Sequence, residues 1–433
     1  MSNKKKNIGI YCEYLSLKKD IPLFINELNE FFNVKLFVSP DKKDYALEIL
    51  SKDIEVIEIK NTSRNLLNKF KTLLFILFGK LPKNRVSFEL SRIRMIIGRK
   101  DSNIYKKFNL FLFKLNLLLP KFFEYDQFCK FLNLKNTYNF NNIDAFLIIS
   151  PILDTYFIAD VISNCKNIYC YIYSWDHPFK FKVFSKKIKY LTWSKSCMFD
   201  LIEEQSIKKQ NIFCVGSTQF IFIDKFNSIG LQEKPKKRII FSGFAAYQSL
   251  INLELSIIKL ISYYLEKYNP EVEFHVRPYP NDEKKVIENF IDSQTNIFNA
   301  NKITDGKKYS YYNLKYKQIS DCLALFHCGT TLGIEASLLN IPTYLISTNL
   351  VSGLNRSDNF SKLLNKKSLQ SHVKKYMVDP NPECYLDSEN KLEEVIKNIQ
   401  NNKESKMSTY LKNKFQYLSV SRLCKNIFDV IDI

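Results

Sequence analysis

Apolar residues follow two alternating patterns along this chain: short continuous runs, typical of buried strands, and longer stretches with helical spacing. The run at 7–12 is followed by a helical stretch at 19–31 and by a second strand-like run at 34–38. A β–α–β opening of this kind is typical of a doubly wound parallel sheet. The other strands predicted in this part of the chain are 55–59, 145–150, 167–173, 190–193 and 212–215.

A second series of alternating elements begins at 238–241 and indicates a second α/β domain. Its other predicted strands are 273–276, 323–326 and 342–346, and its predicted helices are 252–267, 283–292, 390–402 and a last stretch from 406 onward. A chain of 433 residues is also too long for one hydrophobic core. We therefore predict an α/β fold with two Rossmann-like domains facing each other, at 1–215 and 239–433, joined by a linker at 216–238. The C-terminal helices are candidates for crossing back to the first domain.

Residues 62–136 interrupt the alternation with helical stretches at 65–78, 87–97 and 105–119. Their apolar runs are shorter than the roughly 20 residues needed to span a bilayer. The whole chain has a formal charge of +20, and residues 60–124 hold fifteen Lys or Arg but three acids, which indicates an anionic partner. Helices that are both apolar and basic favour the surface of anionic lipid. The alternative is a helical insertion that packs on the sheet and exposes a basic face.

Cysteine usage and the N-terminus both indicate a cytoplasmic protein. The ten Cys occur singly, without a CxxC pair or a Cys–His grouping at zinc spacing, which is typical of buried thiols in a reducing compartment. The basic start precedes a short apolar run that Glu13 interrupts, so we interpret this run as a strand and not as a signal peptide. No Asp-x-Asp motif ends a strand in a metal-binding context, and no GxGxxG follows the first strand.

The stretch 321–346 carries the clearest candidate site: a predicted strand, a small polar loop, a helix and another strand. The loop, which begins at His327, lies where the strand ends and the helix begins. The first amides of a helix are unpaired and carry partial positive charge, so phosphate is their natural ligand, and Gly329 lets it approach the backbone closely. Glu335 lies about one turn into the helix, within reach of a sugar hydroxyl on the same ligand. The alternative is an ordinary β–α–β unit in which Thr330 caps the helix.

This stretch resembles the nucleotide-binding segment of GT-B glycosyltransferases. The resemblance lies in the small polar loop, the sequence Gly-Ile-Glu-Ala that follows, and the Ile-Pro pair that opens the next strand. In that family the loop amides hold the donor phosphates, and the glutamate binds the ribose or sugar of the donor. By position, the resemblance assigns the phosphates to Gly329, Thr330 and Thr331, and the ribose or sugar to Glu335. His327 could polarise a leaving phosphate or pack as a core histidine.

A second candidate site, Ser174-Trp175-Asp176-His177-Pro178, ends the predicted strand 167–173. With Trp193-Ser194-Lys195 and Val215-Gly216-Ser217, it resembles bacterial GT-B transferases of surface polysaccharides. His177 stands where these proteins usually have Asn, and the Gly that often follows their next Lys is absent. Attack by an acceptor hydroxyl needs a base, and Asp176 or His177 has the chemistry for it. Asp176 could instead be a turn carboxylate, and His177 a structural residue before Pro178.

The remaining donor candidates also follow strands of the second domain. Arg277-Pro278-Tyr279-Pro280 resembles the Arg-x-His-Pro turn of such transferases, with Tyr279 in place of His. Arg277 could bind a donor phosphate through two hydrogen bonds, or form a salt bridge beside a rigid turn. Ser242 and Gly243, at the end of the strand 238–241, complete the predicted donor site.

The resemblance implies transfer of a sugar from a nucleotide-sugar donor to a bacterial surface glycan or a lipid-linked acceptor. The predicted enzyme is independent of metal and has no cofactor beyond its donor, because helix amides and basic groups neutralise the departing phosphates. A nucleotide-sugar 2-epimerase of the same fold is an alternative, which would need acids and a histidine in its cleft. A basic nucleic-acid-binding or membrane-binding module without catalysis is the alternative of another class.

Aromatic residues of the basic segment distinguish lipid from nucleic acid as its partner. The Phe residues that lie among Leu and Ile there are Phe70, Phe75, Phe78, Phe108, Phe111 and Phe113. Proteins that stack nucleic-acid bases usually place aromatics among polar residues, whereas this mixture gives helices with one apolar face. We therefore predict a peripheral protein at the inner face of the cytoplasmic membrane, bound through residues 62–123, and we do not favour nucleic acid as a partner. The cations predicted to contact lipid are Arg92, Arg94, Arg99 and Lys100.

Overall fold

The computed structural model describes residues 5–15, 20–59, 66–80, 111–112, 114–116, 118–132, 138–150, 155–179, 183–228, 237–243, 251–278, 285–301, 311–347, 350, 375–379, 381–401, 408–415 and 418–432. Contacts divide the chain into two compact units. The described residues up to Ile221 and from Phe415 onward form the first unit, and those from Phe222 to Lys414 form the second. Several predictions lie outside the described residues: the helix 87–97, part of the helix 105–119, Phe108, Phe113, Tyr279 and the four cations predicted to contact lipid.

Strands and helices alternate through both units. The strands are β1 (Asn7–Tyr11), β2 (Asn33–Val38), β3 (Glu55–Glu58), β4 (Ala145–Ile149), β5 (Ile168–Tyr171), β6 (Lys189–Thr192), β7 (Ile212–Cys214), β8 (Arg238–Ser242), β9 (Glu273–Arg277), β10 (Ile297–Asn299), β11 (Ala324–His327), β12 (Thr343–Ile346) and β13 (Tyr385–Leu386). The helices are α1 (Asp20–Phe31), α2 (Lys43–Ile49), α3 (Leu66–Phe78), α4 (Tyr125–Leu132), α5 (Thr155–Asn164), α6 (Lys195–Gln205), α7 (Ile221–Ser228), α8 (Ile251–Tyr268), α9 (Val286–Asp292), α10 (Tyr311–Ser320), α11 (Thr331–Leu338), α12 (Glu389–Lys397), α13 (Ser408–Phe415) and α14 (Val420–Asp432).

The first unit is built on a parallel sheet with the strand order β3-β2-β1-β4-β5-β6-β7. Strand β4 shows why its strands are continuous apolar runs in the sequence. Leu147 and Ile149 enter the core on one face of the sheet, whereas Phe146 and Ile148 enter the core on the other. A parallel sheet covered on both faces buries every side chain of its central strands. Gly9 of β1 is needed beside this strand, because a Cβ atom there would lie 2.6 Å from the Phe146 ring.

The second unit is built on a parallel sheet with the strand order β10-β9-β8-β11-β12-β13. Its core contains the apolar residues of these strands and of helices α8, α9 and α12. At the start of β8, the buried Arg238 guanidinium lies 3.4 Å from Asp321 and donates to the carbonyl of Gln318 at 3.2 Å. These contacts attach the end of α10 to the central strand of the sheet. The expected α/β fold with two Rossmann-like units is confirmed.

The strand orders identify where ligands are expected in each sheet. In a doubly wound sheet, ligands bind at the carboxyl ends of the strands, where the order of connections reverses. This reversal falls between β1 and β4 in the first unit and between β8 and β11 in the second. The loop after β11 is the one that begins at His327. The most specific sequence motif is therefore located at the position that the topology favours.

The last helix belongs to the first unit, which agrees with the C-terminal helices as candidates for crossing back and shortens the second domain from its expected range of 239–433. Leu423 and Ile427 of α14 are buried in the core beside β1 and α1. The ring of Phe428 lies 5.6 Å from Phe31 and 5.4 Å from Phe32. The division between the units at Ile221 and Phe222 falls inside the stretch 216–238, where α7 begins. An amphipathic pattern predicts such a helix but does not indicate which sheet it covers.

Part of the basic insertion packs on the first unit through α3 and α4. The rings of Phe75 and Phe128 stack at 4.4 Å, and Tyr125 lies 5.8 Å from Phe75. Phe75 is therefore buried, and it does not contribute to an exposed apolar face as the sequence suggested. Phe70 and Phe111 are exposed. In the part of the chain that the structure describes, no helix has the length and apolar character needed to cross a bilayer.

Candidate functional site

The loop after β11 is shaped by a buried histidine. His327 ends the strand, and its Nδ1 accepts a hydrogen bond of 3.2 Å from the backbone N–H of Gly329. Gly329 has a φ of 87°, which is in the left-handed region that favours glycine. This N–H is therefore held by the protein and is not directed at a ligand. Of the loop residues assigned to phosphate, Thr330 and Thr331 have the amides at the start of α11.

Helix α11 packs closely against the His327 ring. A Cβ atom on Gly333 would lie 2.4 Å from both Cε1 and Nε2 of the ring, so only glycine admits the histidine here. Burial lowers the pKa of His327 to about 3, and the ring is therefore uncharged at neutral pH. With Nδ1 accepting, the neutral ring carries its proton on Nε2, beside Gly333. These contacts favour the structural role for His327, and they leave phosphate charge to be neutralised by other groups.

Thr330 is the N-cap residue of α11, but its side chain makes no capping hydrogen bond. Its Oγ1 is buried, and it has no hydrogen-bond partner among the described residues. The simple alternative, in which Thr330 only caps the helix, therefore does not describe this side chain. A buried hydroxyl without a hydrogen-bond partner destabilises the fold unless a ligand or a water molecule forms a hydrogen bond with it.

Glu335 is held by two residues of α10, which sequence reasoning did not identify. The carboxylate is buried and forms an ion pair, through Oε2, with the partly buried Lys315. The hydroxyl of Tyr316 donates to Oε1 at 3.5 Å, and the Lys315 ammonium lies 5.0 Å from the Tyr316 ring centre. Each oxygen retains accepting capacity, because a carboxylate has about four lone-pair sites. No signal in the linear sequence links Lys315 to Glu335, since the two helices meet only in the folded unit.

Ser242 and Gly243 lie at the end of β8, directly beside the loop after β11. The backbone N–H of Cys328 donates to the carbonyl of Ser242 at 3.2 Å. A Cβ atom on Gly243 would lie 2.0 Å from the Glu254 carboxylate, so the glycine admits this side chain from α8. Glu254 is buried, and its charge adds to burial in raising the pKa of the Cys328 thiol well above its usual range. Sequence reasoning did not identify Glu254.

Arg277 ends β9, the neighbour of β8, and its register partner is Ser242. It is partly exposed, as a group that contacts a ligand must be. A carboxylate beside this edge would oppose the binding of an anion, whereas the Arg277 guanidinium would favour it. His275, two residues earlier, is used within the fold: its Nε2 lies 2.8 Å from Glu273 Oε2, and its ring stacks on Phe298 at 5.1 Å.

The Ser174–Pro178 segment forms a compact turn after β5 in the first unit. The Ser174 hydroxyl donates to Asp176 Oδ1 at 2.6 Å, and the backbone N–H of His177 donates to the Ser174 carbonyl at 3.0 Å. His177 is buried, and its Nδ1 accepts from the Ser174 N–H at 3.4 Å. Asp176 remains partly exposed. This arrangement favours the structural role for His177, and it leaves Asp176 as the residue of the two that an acceptor can reach.

Two further residues accompany Asp176 at this edge of the first sheet. Tyr14, after β1, stacks on Tyr173 at 5.7 Å. Burial raises the pKa of Tyr14, and the negative charge of Asp176 raises it further. Ser150, after β4, is fully buried with a φ of 84°, an uncommon conformation for a residue other than glycine. Strained residues concentrate at functional sites, and Ser150 lies at the reversal point of this sheet.

The predicted site residues thus form two groups. Asp176 and His177 lie in the first unit. Ser242, Gly243, Arg277, His327, Gly329, Thr330 and Thr331 lie at one edge of the second sheet, and Glu335 lies one turn along α11. Among the described residues, no group of three or more His, Cys, Asp or Glu side chains is placed to hold a metal ion.

Comparisons with known proteins identify the fold. No protein-family model matches the sequence, and a search of curated proteins gives no match. A putative UDP-N-acetylglucosamine 2-epimerase from Listeria monocytogenes aligns with a TM-score of 0.50 at 10% identity, over 99% of this chain and 96% of that one. UDP-GlcNAc 2-epimerase from Neisseria meningitidis, bound to UDP-GlcNAc, gives 0.48 at 11% identity, over 98% and 99%. The wall teichoic acid polymerase TagF gives 0.45 at 9% identity, over 99% and 88%. At these identities the likeness establishes the fold alone.

Proposed function

We propose that this protein is a nucleotide-sugar-dependent glycosyltransferase that acts on a bacterial surface glycan or a lipid-linked acceptor. The observation that carries the proposal is the loop after β11. It joins a central strand to the N-terminus of α11 at the reversal point of the second sheet, where phosphate is the expected ligand. The resemblance of its sequence to the donor segment of GT-B glycosyltransferases supports the same assignment.

The donor is assigned to the second unit. Its phosphates bind the amides of Thr330 and Thr331 and the guanidinium of Arg277, and the buried hydroxyl of Thr330 pairs with a phosphate oxygen. Glu335 accepts from a hydroxyl of the ribose or sugar. Gly329 and His327 shape the loop without direct contact, because the N–H of Gly329 is occupied by the His327 ring. Ser242 and Gly243 form the adjoining edge.

The acceptor and the general base are assigned to the first unit. Asp176 is the proposed base, because its carboxylate is partly exposed whereas His177 is buried in the turn. The acceptor hydroxyl forms a bond to the anomeric carbon, the bond from that carbon to the phosphate oxygen breaks, and the acceptor proton moves to Asp176. Amides and Arg277 stabilise the negative charge on the phosphate of the departing nucleotide, so the proposed reaction requires no metal.

A nucleotide-sugar 2-epimerase is the second candidate, because the Listeria monocytogenes structure with the same fold is described as such an enzyme. The two reactions differ in what they need. An epimerase converts the nucleotide sugar alone, whereas a transferase needs an acceptor hydroxyl. Analysis of products from donor alone, and from donor with acceptor, therefore separates the two functions.

The nucleotide is found by screening UDP, GDP, CMP and CDP for thermal stabilisation of the protein. We expect one of them to raise the melting temperature, because a ligand that binds only the folded state stabilises it. Glu335→Ala should weaken the binding of that nucleotide while the fold survives. An affinity unchanged by the substitution contradicts the role of Glu335, and no stabilisation by any nucleotide contradicts the proposed function itself.

We also propose that the enzyme works as a peripheral protein at the inner face of the cytoplasmic membrane. The basic insertion supports this location, since a lipid-linked acceptor presents its glycan at a bilayer surface.

A further inference from the structure

Exposed apolar side chains concentrate on the basic insertion of the first unit. Leu66 and Leu118 are each 83% exposed, and Phe70 is 56% exposed, which is unusual for large apolar residues of a folded chain. We define the apolar surface as Leu66, Leu67, Phe70, Phe111, Leu118 and Phe122. Leu66 and Phe70 are four residues apart on α3 and therefore share one face of the helix. Exposed large apolar side chains that share a helix face are typical of an interaction site.

The elements that carry the apolar surface are firmly attached to the first unit. The opposite side of α3 is fixed by the stacking of Phe75 on Phe128. At its C-terminal end, the side-chain amide of Asn116 donates to the carbonyls of Ile76 at 2.7 Å, Leu77 at 3.0 Å and Gly79 at 3.1 Å. These bonds satisfy the last carbonyls of the helix. Helix α3 is thus fixed on the first unit, and its exposed side chains belong to a well-anchored helix.

The charge beside the apolar surface is positive. Lys69, Lys114 and Lys130 are exposed, and none has an acidic partner among the described residues. The acids of the described insertion are Glu124 and Asp126, and both are engaged. Glu124 pairs with Lys80 at 2.7 Å and with Lys186 at 3.3 Å, and Asp126 accepts from Ser185 and from the N–H of Lys186. The remaining cations are therefore available to an anionic partner.

We propose that the apolar surface docks on an anionic lipid bilayer, with its Leu and Phe side chains among the acyl chains and its lysines on the headgroups. The combination of apolar side chains with flanking cations fits the interface of a bilayer. Leucines make up half of the apolar surface, and they cannot stack on bases, so nucleic acid fits it less well. The role of this docking, which is access to a lipid-linked acceptor, rests on the proposed function. The docking itself requires no catalysis.

The test is co-sedimentation of the full chain with vesicles. Vesicles of phosphatidylcholine with phosphatidylglycerol should bind the protein, and vesicles of phosphatidylcholine alone should bind it at least about tenfold more weakly. The combined variant Leu66→Ser, Leu67→Ser, Phe70→Ser should lose about tenfold or more of the binding to anionic vesicles. Leu47→Ser is the matched control, because Leu47 is 57% exposed on α2 of the same unit and outside the apolar surface. The Leu47→Ser protein should bind anionic vesicles as strongly as the wild type.

Three results would overturn the proposal: no binding of wild-type protein to anionic vesicles, full binding by the triple variant, or a dimer in light scattering that the triple variant abolishes. Tight, salt-sensitive binding of RNA that competes with vesicles would assign the surface to nucleic acid instead. Thermal stabilisation by nucleotide, measured on the same samples, reports on the second unit and shows that the variants are folded. Vesicle binding without nucleotide stabilisation would leave this inference standing and would remove the proposed function.

Discussion

At the scale of single residues, two contacts hold the loop and helix of the second unit in their arrangement. Lys315 and Tyr316 reach from α10 to Glu335, and Gly333 admits the ring of His327. Neither contact involves a group assigned directly to the phosphates. Loss of either contact should weaken nucleotide binding indirectly, because Glu335 or the loop after β11 would shift. Each contact is therefore tested by its own substitution.

Removing Lys315 leaves the buried carboxylate of Glu335 with the weaker partner Tyr316. Breaking a buried ion pair by removal of one partner costs roughly 3–5 kcal/mol. We expect Lys315→Met to lower the free energy of unfolding by about 3 kcal/mol and the nucleotide affinity by about tenfold or more. Urea unfolding and calorimetric titration measure the two effects.

The control for this pair is the double variant Lys315→Met, Glu335→Gln, which removes both charges. It should recover much of the stability but not the affinity, because the carboxylate is then missing. Measuring Glu335→Gln alone completes the cycle, and a loss in the double variant equal to the sum of the two single losses would show that the two side chains are not coupled.

Substitution of Gly333 by Ala sets two effects against each other. Ala is favoured over Gly inside a helix by about 1 kcal/mol, but the new Cβ would lie 2.4 Å from the buried His327 ring. Because the ring must move, we expect a net loss of about 2 kcal/mol in the free energy of unfolding. The double variant His327→Ala, Gly333→Ala makes room for the methyl group, and its loss should be smaller than the sum of the single losses. If the Gly333→Ala protein were as stable as the wild type, the His327 ring could move to admit the methyl group without loss of stability.

At the scale of elements, the sequence pattern predicts the longer strands closely, but it misses the short edge strands β10 and β13 and the helix α10, and it predicts the helix contacts poorly. The predicted strand 145–150 is observed as Ala145–Ile149, because a buried parallel strand leaves a continuous apolar run. The loop after β11 is located by its small polar residues between two such runs. The pairing of Lys315 with Glu335 leaves no periodic signal, since it depends on how two helices meet. The burial of Phe75 cannot be predicted from the sequence for the same reason. Phe70 and Phe75 belong to one apolar stretch, and only the packing of Phe75 on α4 makes one buried and the other exposed.

Helix α3 offers a matched pair of substitutions that tests this separation. Phe75→Ala should lower the free energy of unfolding by about 3 kcal/mol, because the ring is buried against Phe128. Phe70→Ala should change it by less than about 0.5 kcal/mol, because this ring is exposed. Chemical unfolding followed by fluorescence measures both. Similar losses in the two variants would mean that Phe70 is packed as firmly as Phe75.

At the scale of the whole molecule, α14 completes the core of the first unit although it follows the second unit in the sequence. The combined variant Leu423→Asp, Ile427→Asp places two charges in that core. We expect amides of β1 and α1 to lose protection from hydrogen exchange, while those of β8 and β11 keep theirs. Ser421→Asp on the exposed side of the same helix is the control and should leave both patterns unchanged. Equal loss of protection in both sheets would show that the units unfold as one.

The placement of α14 also has a consequence for the order in which the protein matures on the ribosome. The strands of the second sheet, up to Leu386, leave the exit tunnel before α14 does. The strands of the second sheet and helix α12 of its core are thus synthesised before α14, whereas the first unit keeps part of its apolar surface uncovered until α14 is made. Domains usually fold in the order in which they are synthesised. Here most of the first unit is synthesised first, but its core is completed last. We therefore expect the nascent first unit to expose the apolar residues that α14 covers until that helix is made.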